Sequence, residues 1–328
     1  MFRRQAGHFA MLGSPIYARL AAHLADDPGS ARAIIGGDAS WDLGLRLFGG
    51  VHVLVLSGVA PDALSGSWPD FVGALAQHEK VLRRFVAVQG VQTNETQRCV
   101  ALVPAFLTVA RETGLPLELL ELGPSAGLNL VFDRYRYQFG AGPWGAADAR
   151  LAFDVVERRA VPADLLAVPL EVRRRRGIDL APVDVTADEG ALLLRAFLWP
   201  GVDARVPRLQ AAIETLRTAP DAPELIQGDY VDALPSLLAD RPRDAVTVVF
   251  QTASTGYLSA EDNGRLRASL ERAGSDGRPL AWVSSRRMDE RELDRDDSWE
   301  LELRVWPSPA RLVACVDFHG NWLDWLDG

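Results

Sequence analysis

The stretch LELLELGPSAGLNLV, residues 117–131, decides the fold. An apolar run ends at Glu121, breaks into Gly123-Pro-Ser-Ala-Gly127, and helical character follows. A strand that closes in a tight turn and opens a helix is the usual cradle for a nucleotide-like ligand at the carboxyl end of a parallel sheet. In the dinucleotide fingerprint G-x-G-x-x-G, the middle glycine lets the backbone approach a pyrophosphate. Ser125 stands in that place, while Gly123 and Gly127 keep theirs. The turn therefore suits a ligand without a pyrophosphate better than a nicotinamide dinucleotide. The plainer reading of the two glycines is that they only permit a turn.

Downstream of residue 114 the pattern alternates between strands and helices, which implies a parallel sheet with helical crossovers. RYRYQFGAGPWGAADARLAFDVV alternates Tyr135, Tyr137 and Phe139, then Leu151, Phe153 and Val155, around a Gly/Pro-rich turn. It reads as an inserted hairpin at about 134–156. PLEVRRRRGIDL is a second core strand and PELIQGD a third, followed by a short helix near 233–239. AVTVVFQT is a continuous apolar run, as expected of a strand buried on both faces. Thr186 and Glu189 form a T-x-x-E capping box, and Ser259 caps the helix AEDNGRLRASLERAG. SWELELRVWP and RLVACVDF have no long helix between them, so they form an antiparallel pair.

Upstream, helices dominate. Ser14-Pro15 places an N-cap before a proline at the first helical position. Phe71, Leu75, Leu82 and Phe85 fall at helical spacing. Asn94 and Gln97 have capping-box spacing at the start of a helix that ends at Gly114. GGVHVLVLSG fits a buried helix or a strand. The expected organisation is a helical N-terminal cap domain over 1–113 and an α/β domain over 114–328.

At 328 residues the chain needs no covalent staples, since a chain of this size buries roughly 75% of its unfolded surface. Hydrophobic residues make up 48% and charged residues 24%, which is ordinary globular composition. The net charge of −9 argues against a general affinity for nucleic acid or anionic membrane. Two cysteines, Cys99 and Cys315, supply neither a disulfide framework nor a zinc pattern, and no His/Cys cluster suggests a metal. The apolar runs stop short of the roughly 20 residues a membrane span needs. The expectation is a soluble cytoplasmic protein without a membrane or nucleic-acid partner.

Four stretches in chain order carry a resemblance. LELLELGPSAG, GIDLAP (177–182), LIQGDYVDALP (225–235) and RDAVTVVFQT (243–252) resemble motifs of the class I S-adenosylmethionine-dependent methyltransferases. More narrowly, TNETQR (93–98) with LELGPSAGLNL and the C-terminal HGNW resembles an uncharacterised bacterial family of unknown function, with a helical region ahead of such a domain. The resemblance implies a Rossmann-like, mostly parallel sheet with an antiparallel C-terminal strand pair, and S-adenosylmethionine as cofactor. It implies Glu121, Gly123, Ser125, Gly127, Asp179, Asp229 and Gln251 as the cofactor-binding set. Glu121 would meet the ligand's ammonium or order the loop, Asp179 the ribose hydroxyls and Asp229 the adenine amino group.

Each has a plainer alternative. Asp179 can be a loop carboxylate, Asp229 a helix cap, and Arg173–Arg176 a solvated or ion-paired face. Asn94, Glu95 and Arg98, with Asn129, are the candidate pocket edge, or else a cap with a surface ion pair. QTASTGY after the fourth strand is not the Asn-Pro-Pro-Tyr of amine methylation, so the acceptor stays open between a small molecule and a protein. Methyl transfer needs mainly in-line placement and at most one base. Thr252, Tyr257 and His319 are the catalytic candidates, His319 alternatively structural. Two further readings stay open: a non-catalytic ligand- or partner-binding protein on the same sheet, and an NAD-dependent oxidoreductase.

Overall fold

The computed structural model describes residues 1–36, 40–201, 204–287 and 298–327, without the side chains of 286 and 287. The chain divides into two compact units: Met1–Thr93 with Val183–Gln210, and Asn94–Pro182 with Ala211–Gly328. The sequence suggested a single crossing at 113/114. The backbone instead passes between the units three times, and the Cys99–Thr113 helix lies wholly in the second.

The first unit is helical. Helices at Phe2–Met11, Pro15–Asp26, Leu43–Leu56, Trp68–Gln77 and Glu79–Val88 contribute to one apolar core. Phe9 anchors it, edge-on to Tyr17, Phe48 and Trp199. The ambiguous GGVHVLVLSG is helix, with Val51 and Leu54 turned inward. The helix Asp188–Ala196 also belongs here. Its expected capping box does not form. The N-cap is Ala187, and the Thr186 hydroxyl donates to Asp184 Oδ1 at 2.6 Å. A short side chain bonds its nearest acceptor, and Asp184 competes successfully with the helix end.

The second unit is α/β, with a mostly parallel central sheet and a few antiparallel strands. Its strands are β1 (Leu117–Leu122), β2 (Arg136–Phe139), β3 (Gly142–Gly145), β4 (Ala152–Asp154), β5 (Glu157–Arg159) and β6 (Val172–Asp179). Then come β7 (Glu224–Gln227), β8 (Val246–Gln251), β9 (Leu280–Arg287), β10 (Ser298–Val305), β11 (Arg311–Asp317) and β12 (Leu323–Trp325). Nine of them form one sheet in the order β5-β12-β11-β10-β9-β8-β1-β6-β7. The pairings from β7 through β9 are all parallel. From β9 to β12 the chain runs as an antiparallel meander. The expected 298–305/311–317 pair is therefore present, but β11 lies third from the edge.

The sheet is covered on both faces, which is why β8 reads as an unbroken apolar run. On one face Leu120, Leu122, Val249 and Trp282 pack against the helices Tyr230–Ala239 and Ala260–Gly274. On the other the Cys99–Thr113 helix sets Phe106 against Phe250 and Phe132, at ring distances of 5.2 and 4.8 Å. The 134–156 insertion is a small separate sheet, β3-β2-β4, with β2 and β3 as the antiparallel hairpin.

Two expectations near the key turn change. The chain after Gly127 forms only a seven-residue 3-10 segment, Leu128–Arg134, with non-helical angles at Val131. Tyr135 and Tyr137 explain the stop, because their hydroxyls donate to the carbonyls of Leu128 and Phe132. No long helix points its amino end at the turn. Also, Asn94 is not a cap. Glu95 takes the Gln97 N–H instead, at 3.2 Å.

Candidate functional site

Strand order reverses between β1 and β8, since β1 is followed in the chain by strands on one side of it and β8 by β9 on the other. Open α/β sheets bind ligands outside the carboxyl ends of the strands at such a point. Glu121, Asp179 and Gln251 stand at or beside the carboxyl ends of β1, β6 and β8.

The turn after β1 needs left-handed backbone at Gly123, Ser125 and Gly127, with φ of 72°, 55° and 77°. At Gly123 a Cβ would come within 2.5 Å of Ser254 Cβ, so glycine is required for space as well as for φ. Ser125 is the non-glycine residue held at positive φ among the described residues, a conformation that costs free energy unless its surroundings impose it. Asp179 imposes it: Oδ2 accepts the Ser125 N–H at 2.9 Å, and Oδ1 accepts the Ala181 N–H at 2.9 Å. Each oxygen keeps a further lone pair for a ligand donor.

Glu121 lies on the face covered by the Cys99–Thr113 helix and is 2% exposed. Its Oε1 accepts from Asn129 Nδ2 at 3.2 Å. The Cys99 thiol donates to Asn129 Oδ1 at 3.3 Å, which fixes the amide end presented to Glu121. Oε2 is buried and has no partner. Burial pushes the Glu121 carboxyl up to about 8; the Asn129 bond opposes this, Asp179 adds to it and Arg98 opposes it. Burial, and then Glu121 itself, push the Cys99 thiol up.

Arg98 completes the surroundings. Its Nε donates to the Phe318 carbonyl at 3.0 Å and Nη1 to Thr252 Oγ1 at 3.4 Å. Its guanidinium carbon lies 5.3 Å from the Trp299 ring centre and 5.1 Å from that of Phe318. Asn94 Oδ1 accepts the Leu128 N–H at 3.1 Å. Gly320, at φ 81°, sits so close under the Gln97 carbonyl that a Cβ would overlap it. Thus TNETQR, LELGPSAGLNL and HGNW, far apart in the chain, meet at one place.

Glu121, Ser125, Asn129 and Asp179 form a bonded or electrostatically coupled set. Asn94, Arg98, Thr252 and the His319 loop adjoin it. Glu95 is buried as a cap. The His319 ring packs edge-on to Phe318, centres 4.9 Å apart. Asp229 caps the Tyr230–Ala239 helix by taking the Val231 N–H at 2.7 Å. Gln251 turns to the neighbouring strand, donating to Ser284 Oγ at 2.9 Å and the Ser285 carbonyl at 3.0 Å. Tyr257 is 52% exposed. The arginine run is ion-paired: Arg173 with Asp244, Arg174 with Glu224, and Arg175 with Asp133 and Asp221.

Sequence reasoning passed over Cys99 and Ser254. Ser254 Oγ donates to the Leu122 carbonyl at 2.6 Å and walls Gly123. Its place just past the fourth strand was the available signal. Nothing local marked Cys99.

Two surface hollows lie elsewhere. One is lined by Arg267, Glu271, Trp282 and Arg304, the other by Arg173–Arg175, Asp221 and Glu224. Their arginines Arg304, Arg173, Arg174 and Arg175 already pair with acids, so they make less demand on a ligand than the unpartnered Glu121 oxygen. Among the described residues no three His, Cys, Asp or Glu side chains gather as metal ligands, and no helix is long and apolar enough to cross a membrane.

These features define an α/β protein with a buried polar cluster at the carboxyl ends of a parallel sheet. The chain belongs to a family of uncharacterized proteins conserved in bacteria (DUF2332), matched over residues 1–325. The narrower resemblance read from the sequence is therefore correct. No curated protein matches the chain.

Proposed function

We propose that the sheet-bearing unit binds S-adenosylmethionine at the carboxyl ends of β1, β6 and β8 and acts as a methyltransferase of a small-molecule or protein acceptor. The observation that carries this reading is Glu121 Oε2, an acceptor buried without a partner beside the strand-order reversal. A buried polar atom left unpaired costs free energy, and a ligand donor removes that cost. Asp179 suits the ribose hydroxyls through its remaining lone pairs, and Asp229 presents an exposed carboxylate for an amino group. The bound sulfonium supplies the methyl group. The chain's own residues orient the ligand and keep water from Glu121.

The turn supports a sulfur nucleoside over NAD. The N–H groups of Gly123, Ser125, Gly127 and Leu128 are spent on Ile178, Asp179, Pro124 and Asn94, and Pro124 has none. A pyrophosphate would meet carboxylates rather than these donors. Calorimetric titration with S-adenosylmethionine, S-adenosylhomocysteine and NAD tests the reading. We expect micromolar binding of the sulfur ligands, about −8 kcal/mol, weakened by roughly 1–3 kcal/mol in Asp179→Ala. Failure of both sulfur ligands to bind at millimolar concentration removes the reading.

A second reading is a non-catalytic binding protein on the same sheet. It is favoured by Asp179 and Asp229, which both hold backbone of their own loops. Methyl transfer to an offered acceptor separates the two.

A further inference from the structure

We propose that Glu121 selects ligands by charge: its unpartnered Oε2 receives a cationic amine of the ligand, and the Glu121 proton leaves to solvent as that amine docks. This rests on the reading that the site takes an S-adenosyl nucleoside. A carboxyl group 2% exposed, holding one amide hydrogen bond and an orphaned oxygen, is more stable neutral than charged. Asn129 donates to Oε1, and the Cys99 thiol prevents the amide from presenting its oxygen instead. The proton therefore resides on Oε2, which has no acceptor among the described residues. Docking of R–NH3+ converts Glu–COOH to Glu–COO−, with the amine as counter-ion and one proton released. No other bond changes.

The groups around Glu121 leave it as the proton source. Its register partners on β6 and β8 are Gly177 and Phe250, which carry no charge. Cys99 and Tyr135 face it from the adjoining helix and the end of the 3-10 segment, and burial pushes both upward, away from neutral pH. Asp179 from β6 favours the protonated form and Arg98 the ionised one, and neither bonds to it. An incoming ammonium tips this balance in the direction Arg98 alone does not complete. A nucleoside without the amine leaves the proton in place and gains no ion pair.

The test is isothermal calorimetry of the full chain with S-adenosylhomocysteine and with 5′-methylthioadenosine, which lacks the ammonium. Titrations run between about pH 6 and 7.5, below the usual α-amino range of about 7.7–8.0, in two buffers of different ionisation heat. Release of one proton means that S-adenosylhomocysteine affinity rises about tenfold per pH unit. Methylthioadenosine should show no such rise. Glu121→Gln should bind S-adenosylhomocysteine with a flat profile, and Glu121→Asp, which keeps a titrating carboxyl, should retain a slope. A flat wild-type profile with binding intact overturns the charge selection and leaves the ligand reading standing. So does an undiminished slope in Glu121→Gln. Absence of binding by every nucleoside overturns both.

Discussion

Glu121 occupies a place in the sheet where its neighbours Leu119, Leu120 and Leu122 are apolar and buried, and a charge there has a measurable consequence. Folding holds its carboxyl near 8, whereas the unfolded chain loses that proton near its ordinary value of 4.5. Between those pH values the folded state binds more protons than the unfolded one. This group's contribution to stability is therefore fully present below about 4.5, declines as pH rises, and levels off above about 8. Urea unfolding across that window should show wild type losing a few kcal/mol relative to Glu121→Gln. Equal slopes in the two proteins would show that Glu121 is ionised in the folded state. Asn94 offers a second residue-scale test. Its oxygen holds the Leu128 N–H at the far side of the chemistry-bearing turn. Asn94→Ala should cost about 1–2 kcal/mol in thermal or urea unfolding, with the helix content of the circular dichroism spectrum unchanged, because Glu95 supplies the cap.

The turn between β1 and the 3-10 segment is the element on which the site depends, and its glycines are not equivalent to glycines elsewhere. Gly114 ends the Cys99–Thr113 helix at φ 64° with open space where a Cβ would stand. Gly114→Ala should cost about 1 kcal/mol, the backbone term alone. Gly123→Ala adds a push against Ser254, whose hydroxyl is tied to Leu122, and should cost roughly 2–4 kcal/mol. Thermal unfolding of the pair checks the order, and the reverse order would mean that Ser254 yields freely. Gly127→Val falls between, with a Cβ 3.1 Å from Leu225 Cδ2 at φ 77°. Periodicity made the strands β1 and β8 legible, because burial on both faces admits only apolar side chains. The short 3-10 segment was not legible, since its end is set by two tyrosine hydroxyls reaching back from β2.

At the scale of the whole molecule, the boundary between units has a practical consequence. A fragment of residues 114–328 begins after the helix whose Phe106 packs on Phe132 and Phe250. Residues Cys99–Ala110 of that helix are all buried. The fragment should lack near-ultraviolet circular dichroism and a cooperative thermal transition, because one face of the sheet would be left bare. A cooperative transition matching that of the full chain would place the boundary back at 113. The three crossings of the backbone were hidden in the sequence: 183–210 reads as one more helical stretch, and no periodicity records which core a helix joins.

The sequence by itself determined the α/β alternation, the parallel core from β7 through β9, the antiparallel close and the turn at Gly123, because local burial and backbone freedom dictate residue type position by position. It also brought the site residues Glu121, Ser125 and Asp179 into view, each at the end of a recognisable strand or in the turn. Only the tertiary structure decided that Glu121 is a neutral acid with an idle oxygen, that Asp179 steadies Ser125, and that Asn94, Arg98 and Gly320 close around the same turn. Those outcomes depend on desolvation and on hydrogen bonds between residues as far apart as Arg98 and Phe318, and such distances leave no periodic trace along a chain.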